Sequence, residues 1–177
     1  MFFVRTASER DVGAIAALLA VTWRATYTSL YGPQKVEELI AAWHAPERIR
    51  EHLARPEGEY LIADDGTELG GMAYATMSGQ DDIKTIRLHQ LYVHPGHQRQ
   101  GIGRDLFADI ETCFPGARRL VVEVDPNNGQ AIAFYRGVGM TEAGRIDDCG
   151  TPGSGIPAIL MEKELPAGPD ASGLVGV

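Results

Sequence analysis

The sequence predicts an α/β fold built on a mixed sheet with helices on both sides. Strand-like and helical segments alternate along the chain, and one apolar strand leads directly into a Gly-rich turn that opens a helix. The chain has 177 residues, of which 44% are hydrophobic and 23% are charged. Such a chain can form one domain around a single core, without disulfide bonds to support it.

The first half of the chain begins with a short strand over residues 2–5. Ser8 then has the position of an N-cap in a capping box, and the helix that follows carries apolar residues at the spacing of one helical face. Pro33 and Pro46 each suit the first turn of a helix. The remaining predicted elements of this half are helices over 36–43 and 46–53 and strands over 60–63 and 72–77.

The second half begins with the longest predicted strand, over residues 84–94. The Gly-rich turn after it opens an amphipathic helix from about Gly101 to Cys113. The later predicted elements are a strand over 119–124, a helix over 130–137 and two closing strands over 142–147 and 158–165. We therefore predict a single domain over residues 1–165, followed by a Gly-, Pro- and Ala-rich C-terminal tail over 166–177.

The turn over residues 98–103, with the sequence Gln-Arg-Gln-Gly-Ile-Gly, has the form of a phosphate-binding site. Unpaired backbone N–H groups and the helix dipole favour an anion at a helix N-terminus, and glycines let a ligand approach the backbone. A P-loop would need Lys and then Ser or Thr where Arg104 and Asp105 stand. A dinucleotide fingerprint would need a third glycine in place of Leu106. Neither pattern fits, and a turn without a ligand is the remaining alternative.

Two segments of the chain form a more specific pattern. Gln98, Gly101 and Gly103 follow the motif Gln/Arg-x-x-Gly-x-Gly/Ala, and residues 128–140 follow Asn-x-x-Ala-x-x-Phe-Tyr-x-x-x-Gly-Met. Together these segments resemble the acyl-CoA-binding motifs of the GNAT superfamily of N-acetyltransferases. The one departure is Met140, where the family usually has Phe.

The resemblance covers roughly residues 3–165 and implies both a fold and a co-substrate. It implies a GNAT-like acyl-CoA N-acyltransferase fold whose central strands, 87–93 and 120–124, splay apart at one end and admit acetyl-CoA (coenzyme A with its acetyl group). The residues that it places against the co-substrate are Leu91, Tyr92, Val93, Gln98, Arg99, Gln100, Gly101, Ile102, Gly103, Arg104, Asn128, Ala131, Phe134 and Tyr135. The implied reaction is acetyl transfer from acetyl-CoA to an amine, and we expect it to be direct, in a ternary complex, with the primary amine of a small molecule as the acceptor.

Acetyl transfer to an amine needs a polarised carbonyl, a neutral amine and a proton for the departing thiolate. By resemblance, the backbone amides of Tyr92 and Val93 polarise the carbonyl, and Tyr135 supplies the proton. A base is needed because only about one part in a thousand of a lysine-like amine is neutral at pH 7. Many relatives have a Glu on the central strand where this chain has Arg87. That departure leaves His89 and Glu123 as candidates for the base, each with a purely structural role as the alternative.

The acceptor is less well defined than the co-substrate. Trp23, Tyr27 and Tyr31 are candidates for lining a pocket for the amine, with cation–π contact, although aromatic residues at helical spacing usually form core. The net charge of -8 fits a cationic amine and argues against nucleic acid as a partner. The sequence does not decide between a polyamine, an amino acid, an antibiotic and a protein amine.

Several classes of protein and site are disfavoured. No apolar run has membrane-spanning length and residues 1–5 lack the form of a signal peptide, so we expect a cytoplasmic protein without a membrane partner. Cys113 and Cys149 are isolated, and His94 and His97 lack a third ligand, so we expect no disulfide framework and no metal. A homodimer is left open.

Two other functions remain open from the sequence. The chain could be a non-catalytic acyl-CoA-binding sensor or partner module, or an acyltransferase that uses another acyl-CoA or a protein amine. The presence of both Asn128 and Tyr135 disfavours the sensor.

Overall fold

The computed structural model describes residues 1–78, 83–149 and 155–166, so the predicted tail beyond residue 166 lies outside the described residues. The strands are β1 (Phe3–Thr6), β2 (Gly58–Asp64), β3 (Leu69–Ser78), β4 (Thr85–Val93), β5 (Arg119–Val124), β6 (Thr141–Ile146) and β7 (Ala158–Glu164). The helices are α1 (Val12–Tyr31), α2 (Pro33–Trp43), α3 (Pro46–Leu53), α4 (Ile102–Cys113) and α5 (Gly129–Gly137). The predicted order of elements is confirmed.

The chain divides into two compact units. The first comprises residues 1–76 and 88–110, and the second comprises the described parts of 77–87 and 111–177. Strand β4 contributes its first three residues to the second unit and the rest to the first. The single domain over residues 1–165 stays a prediction. Among the described residues, no helix is long and apolar enough to cross a membrane.

In the first unit the strands lie in the order β1-β2-β3-β4. Strands β1 and β2 pair antiparallel, as do β2 and β3, with Tyr60 opposite Tyr74. Helix α1 buries its apolar face, including Ile15 and Leu19, against this sheet. It ends at Tyr31 because Gly32 adopts a φ of 81°, a conformation that suits glycine. A proline then opens α2, as predicted.

Two adjacent glycines on β3 let the start of α4 lie close to the sheet. A Cβ at Gly71 would lie 2.9 Å from Ile102 Cγ2 and 2.9 Å from the backbone oxygen of Tyr92. A Cβ at Gly70 would lie 2.8 Å from Ile102 Cδ1. Real Cβ atoms essentially never approach other atoms so closely. Because Gly70 and Gly71 have no side chains, the first turn of α4 can pack close to β3.

In the second unit the start of β4 lies beside β5, followed by β7 and β6. Arg119 Nε donates to Thr85 Oγ1 at 3.3 Å, and Arg87 donates to Glu123 Oε1 at 3.0 Å. Residue numbers rise together along these two strands, so β4 and β5 run parallel. The pairs β5–β7 and β6–β7 are antiparallel. The predicted mixed sheet is therefore confirmed.

Candidate active site

The turn that was predicted to bind phosphate lies between β4 and α4 in the first unit. Arg99 has a φ of 66° and Gly101 a φ of 93°, so two residues of the turn are left-handed. The N–H groups of Arg104 and Asp105 both donate to the carbonyl of Gly101, at 2.8 and 3.1 Å, which begins α4 at Ile102. A left-handed residue other than glycine is costly, and such residues cluster at functional sites.

Contacts from neighbouring residues hold this turn in place. His97 Nε2 lies 2.8 Å from Glu68 Oε1, on the connection between β2 and β3. The side-chain amide of Gln98 donates to the carbonyl of Val93 at 3.5 Å. A Cβ at Gly101 would meet nothing within 4 Å, so the backbone there is open to approach. The turn therefore combines a fixed shape with an accessible backbone at the start of a helix.

Strand β4 carries the residues predicted to polarise the carbonyl and one of the predicted bases. Leu91, Tyr92 and Val93 are half-buried at the end of the strand. His89 is exposed, and its Nε2 lies 2.8 Å from the hydroxyl of Thr76. Because this hydroxyl can donate or accept, the contact is compatible with either tautomer of the His89 ring.

The other predicted base, Glu123, lies on β5 in the second unit. Its carboxylate accepts a hydrogen bond from Arg87 at 3.0 Å, and the two side chains are 22% and 47% exposed. Cys149 is another neighbour of Glu123. Burial, together with the charge of Glu123, raises the pKa of the Cys149 thiol to about 12. Arg87 thus engages the carboxylate of Glu123 directly.

Helix α5 in the second unit carries the second motif. Asn128 caps the helix, because its Oδ1 accepts a hydrogen bond from the N–H of Ala131 at 3.0 Å. Tyr135 is 6% exposed, and its ring lies 5.2 Å from that of Phe134 at an angle of 71°. The amide of Met140 donates to the carbonyl of Tyr135 at 3.0 Å. These residues lie on one short helical segment, and their roles towards a co-substrate stay predictions.

The three aromatic residues predicted on the acceptor side lie along one face of α1, four residues apart. The rings of Trp23 and Tyr27 are 4.5 Å apart, and those of Tyr27 and Tyr31 are 5.9 Å apart. Trp23 and Tyr27 are buried. Tyr31 is half-buried and lines an open cavity of about 450 Å³ together with residues 32–35 and Glu38. Part of the cluster is thus core, and its outer end lines a cavity.

Two residues of this region were missed from the sequence, His44 and Gln90. The ring of His44 lies 5.0 Å from that of Trp23 and 6.0 Å from that of Tyr92, and its Nδ1 lies 3.4 Å from the side-chain nitrogen of Gln90. Burial, with a smaller effect from His52, lowers the pKa of His44 to about 4, so this ring is neutral at pH 7. No local pattern around His44 indicated these contacts.

The chain is similar to a known protein family and to several known proteins. The model of the acetyltransferase (GNAT) family matches residues 18–140. An uncharacterised protein of Mycobacterium leprae is 33% identical over 122 residues, which are 69% of this chain and 33% of that protein. The N-alpha-acetyltransferase RimI of Mycobacterium tuberculosis is 31% identical over 99 residues, 56% of this chain and 62% of the relative. The chain thus spans less than two thirds of the length of these two relatives.

Other relatives and a solved structure extend the comparison. Relatives include the peptidyl-lysine N-acetyltransferase YjaB of Salmonella typhimurium, a spermidine N(1)-acetyltransferase of Thermoplasma acidophilum and the L-amino acid N-acyltransferase MnaT of Escherichia coli. The PaiA N-acetyltransferase of Thermoplasma acidophilum, solved in complex with coenzyme A, has a TM-score of 0.77 at 20% identity, covering 93% of this chain and 99% of that one. This structural likeness shows the fold.

Proposed function

Because the chain belongs to the acetyltransferase (GNAT) family of acyl-CoA-dependent N-acetyltransferases, we propose that it transfers the acetyl group of acetyl-CoA to the primary amine of a small molecule. The proposed transfer is direct and occurs in a ternary complex. The observation that carries the proposal is the turn over residues 98–103, which has two left-handed residues and an open backbone at the start of α4. Such a helix N-terminus favours an anion, and the pyrophosphate of coenzyme A is an anion.

The residues of the turn fit this co-substrate in charge as well as in shape. Arg99 and Arg104 are exposed at the turn and at the first turn of α4, where they add positive charge. The glycines at 101 and 103 leave room for phosphate oxygens beside the backbone. We propose that residues 98–104 hold the pyrophosphate and that residues 91–93 hold the acyl arm. Bound acetyl-CoA supplies the acetyl group as a thioester.

Each step of the proposed transfer has a candidate residue. The backbone N–H groups of Tyr92 and Val93 polarise the acetyl carbonyl as negative charge develops on its oxygen. His89 takes the proton of the amine, directly or through water, because Arg87 already engages the carboxylate of the other candidate, Glu123, at 3.0 Å. The hydroxyl of Tyr135 donates a proton to the departing sulfur.

The acceptor is proposed to bind on the side of α1. Tyr31 lines an open cavity of about 450 Å³ at the protein surface. Trp23 and Tyr27 continue from it as a row of rings that could contact the carbon chain of an amine. The relatives are named for small-molecule and protein amines alike, so the choice of a small molecule rests on the cavity. A cytoplasmic location and a homodimer remain predictions from the sequence.

Two experiments test the function. Thiol release is measured with acetyl-, propionyl- and succinyl-CoA against a panel of amines, and we expect acetyl-CoA with a cationic or amphipathic amine to give the highest rate. Turnover of neutral alcohols or acidic amino acids alone would contradict the proposal. In calorimetry, Gly103→Glu should abolish acetyl-CoA binding because it places bulk and negative charge at the turn. Gly13→Glu, at an exposed position of α1 with open space around it, is the matched control and should bind normally.

A further inference from the structure

Trp23, His44 and Gln90 are neighbouring side chains, the last of them on β4, and each buries a polar atom. Among the described residues, none provides a hydrogen-bond partner for Trp23 Nε1, His44 Nε2 or Gln90 Oε1. Trp23 is 6% exposed and His44 is 4% exposed, and the two rings are 5.0 Å apart. Native proteins leave few such atoms unsatisfied, and each one calls for an explanation, such as local strain, a catalytic role or a bound water or ion. The geometry therefore indicates a recognition site in this cluster.

The contact between Gln90 and His44 determines which atoms of the cluster donate hydrogen bonds and which accept them. When the amide nitrogen of Gln90 donates to His44 Nδ1, the proton of the neutral ring lies on Nε2, which is then a donor, and Gln90 Oε1 is an acceptor. When the amide is reversed, His44 Nδ1 donates to it, Nε2 becomes the acceptor, and the amide nitrogen becomes the donor. Either arrangement leaves one donor and one acceptor. Trp23 Nε1 adds a second donor.

Two donors and one acceptor match a definite chemical group. A carbonyl oxygen has two lone pairs and accepts from both donors, while the N–H of an adjacent amine donates to the acceptor. A simple polyamine has no oxygen, and a neutral amine nitrogen has only one lone pair, so no single atom of it could accept from both donors. His44 is neutral at pH 7, because burial lowers its pKa to about 4, and so it gives no positive charge to balance a carboxylate. An amide or ester carbonyl suits the cluster better than a free acid.

We propose that Trp23, His44 and Gln90 bind the carbonyl of the acceptor, and that the preferred acceptor is an α-amino amide or ester. This inference rests on the proposed acetyl transfer and names its acceptor class. The ring of Tyr92, whose backbone is proposed to polarise the acetyl group, lies 6.0 Å from the ring of His44, which places the cluster beside the proposed reacting end of β4. The same α-amino carbonyl unit occurs in small amino-acid amides and at the N-terminus of a peptide.

The cluster must open for an acceptor to reach it, because the three atoms are closed to solvent in this conformation. Gln90 is the member that can move, since it is only half-buried and its contact with His44 is long for a hydrogen bond, at 3.4 Å. Rotation of the Gln90 side chain would break its contact with His44 Nδ1 and free the His44 ring to turn towards an acceptor. The hydrogen bonds that a bound acceptor makes to the three buried polar atoms stabilise the open conformation of the cluster.

The test compares two amines in variants of the cluster. Values of kcat/KM are measured by thiol release with alaninamide and with isopropylamine, which has the same branched skeleton without the carbonyl. The amines differ in basicity, so the result is the ratio of variant to wild type for each amine. We expect His44→Phe and Gln90→Leu to lower kcat/KM for alaninamide about 10- to 100-fold and to change the isopropylamine value by less than about threefold. If His44→Phe does not fold, Gln90→Leu still tests the proposal, because Gln90 is only half-buried.

A matched control and a second acceptor complete the experiment. His52→Phe makes the same substitution at a half-buried ring that stacks on Tyr74 at 4.3 Å, and should leave both values within about twofold. A tripeptide beginning with Ala, compared with alaninamide, distinguishes a peptide N-terminus from a small amide. Equal losses on both amines would show a structural role and overturn this inference alone. Absence of thiol release with every amine in the wild type would instead overturn the proposed function.

Discussion

A methyl group at Gly71 would press on the first turn of α4. A Cβ built there lies 2.9 Å from Ile102 Cγ2 and 2.9 Å from the backbone oxygen of Tyr92, whereas ordinary contacts begin at 3.4 Å. The neighbours must therefore move by roughly half an ångström. The Ile102 side chain can rotate, but the Tyr92 carbonyl belongs to β4. The separation of β3 from its neighbours must therefore increase.

For Gly71→Ala we expect the free energy of unfolding to fall by about 1 to 3 kcal/mol, the usual range for overpacking. In a chain of this size that corresponds to a fall in Tm of about 2 to 12 °C by scanning calorimetry. Movement of Ile102 also displaces the turn over residues 98–103, so the Kd for acetyl-CoA should rise about tenfold in titration calorimetry. Gly13→Ala, on the exposed side of α1, should keep its Kd and its Tm or gain slightly. An unchanged Tm and Kd in Gly71→Ala would refute the reasoning.

Three further predictions concern single side chains. Tyr135→Phe should lower kcat by a factor of about 10² to 10⁴ with little change in acetyl-CoA affinity, and a kcat within about twofold of wild type would reduce Tyr135 to a packing residue. Burial lowers the pKa of His44 to about 4, below its ordinary value, so the folded state loses stability as the pH falls from about 6.5 towards 4. Between pH 7 and pH 5, denaturant titrations should show that the wild type loses about 2 kcal/mol more free energy of unfolding than His44→Phe. Equal losses in the two proteins would argue against a buried neutral ring. Glu68→Ala removes the 2.8 Å contact to His97 and should raise the KM for acetyl-CoA by up to about fivefold at constant kcat, while a lower kcat with unchanged KM would speak against an anchoring role for the pair.

Local features of the fold were predictable because they depend on neighbouring residues. The bounds of β5, 119–124, agree with the prediction because an apolar run there is bounded by turns on both sides. The break between α1 and α2 follows from Gly32 and Pro33, and the turn before α4 from the glycine at 101, whose φ is positive. Asn128 directly precedes α5, and its side chain caps that helix.

The contacts that the sequence did not reveal join residues far apart in the chain. Gln90 and His44 are 46 positions apart, and Arg87 and Glu123 are 36 apart. No local pattern indicates which residues such pairing brings together. The pair Gly70-Gly71 did carry a signal, because glycine inside a strand often marks close approach of another element, but the element could not be named. The left-handed conformation of Arg99 also depends on its surroundings.

This chain is proposed to join the acetyl group of acetyl-CoA to an amine. The most direct measurement follows the N-acetylated amine by mass spectrometry and the released thiol in the same reaction. We expect one N-acetyl product for each thiol released, with both lost in Gly103→Glu and retained in Gly13→Glu. Thiol release without an acetylated amine, or tight acetyl-CoA binding with no product from any amine in the panel, would contradict it.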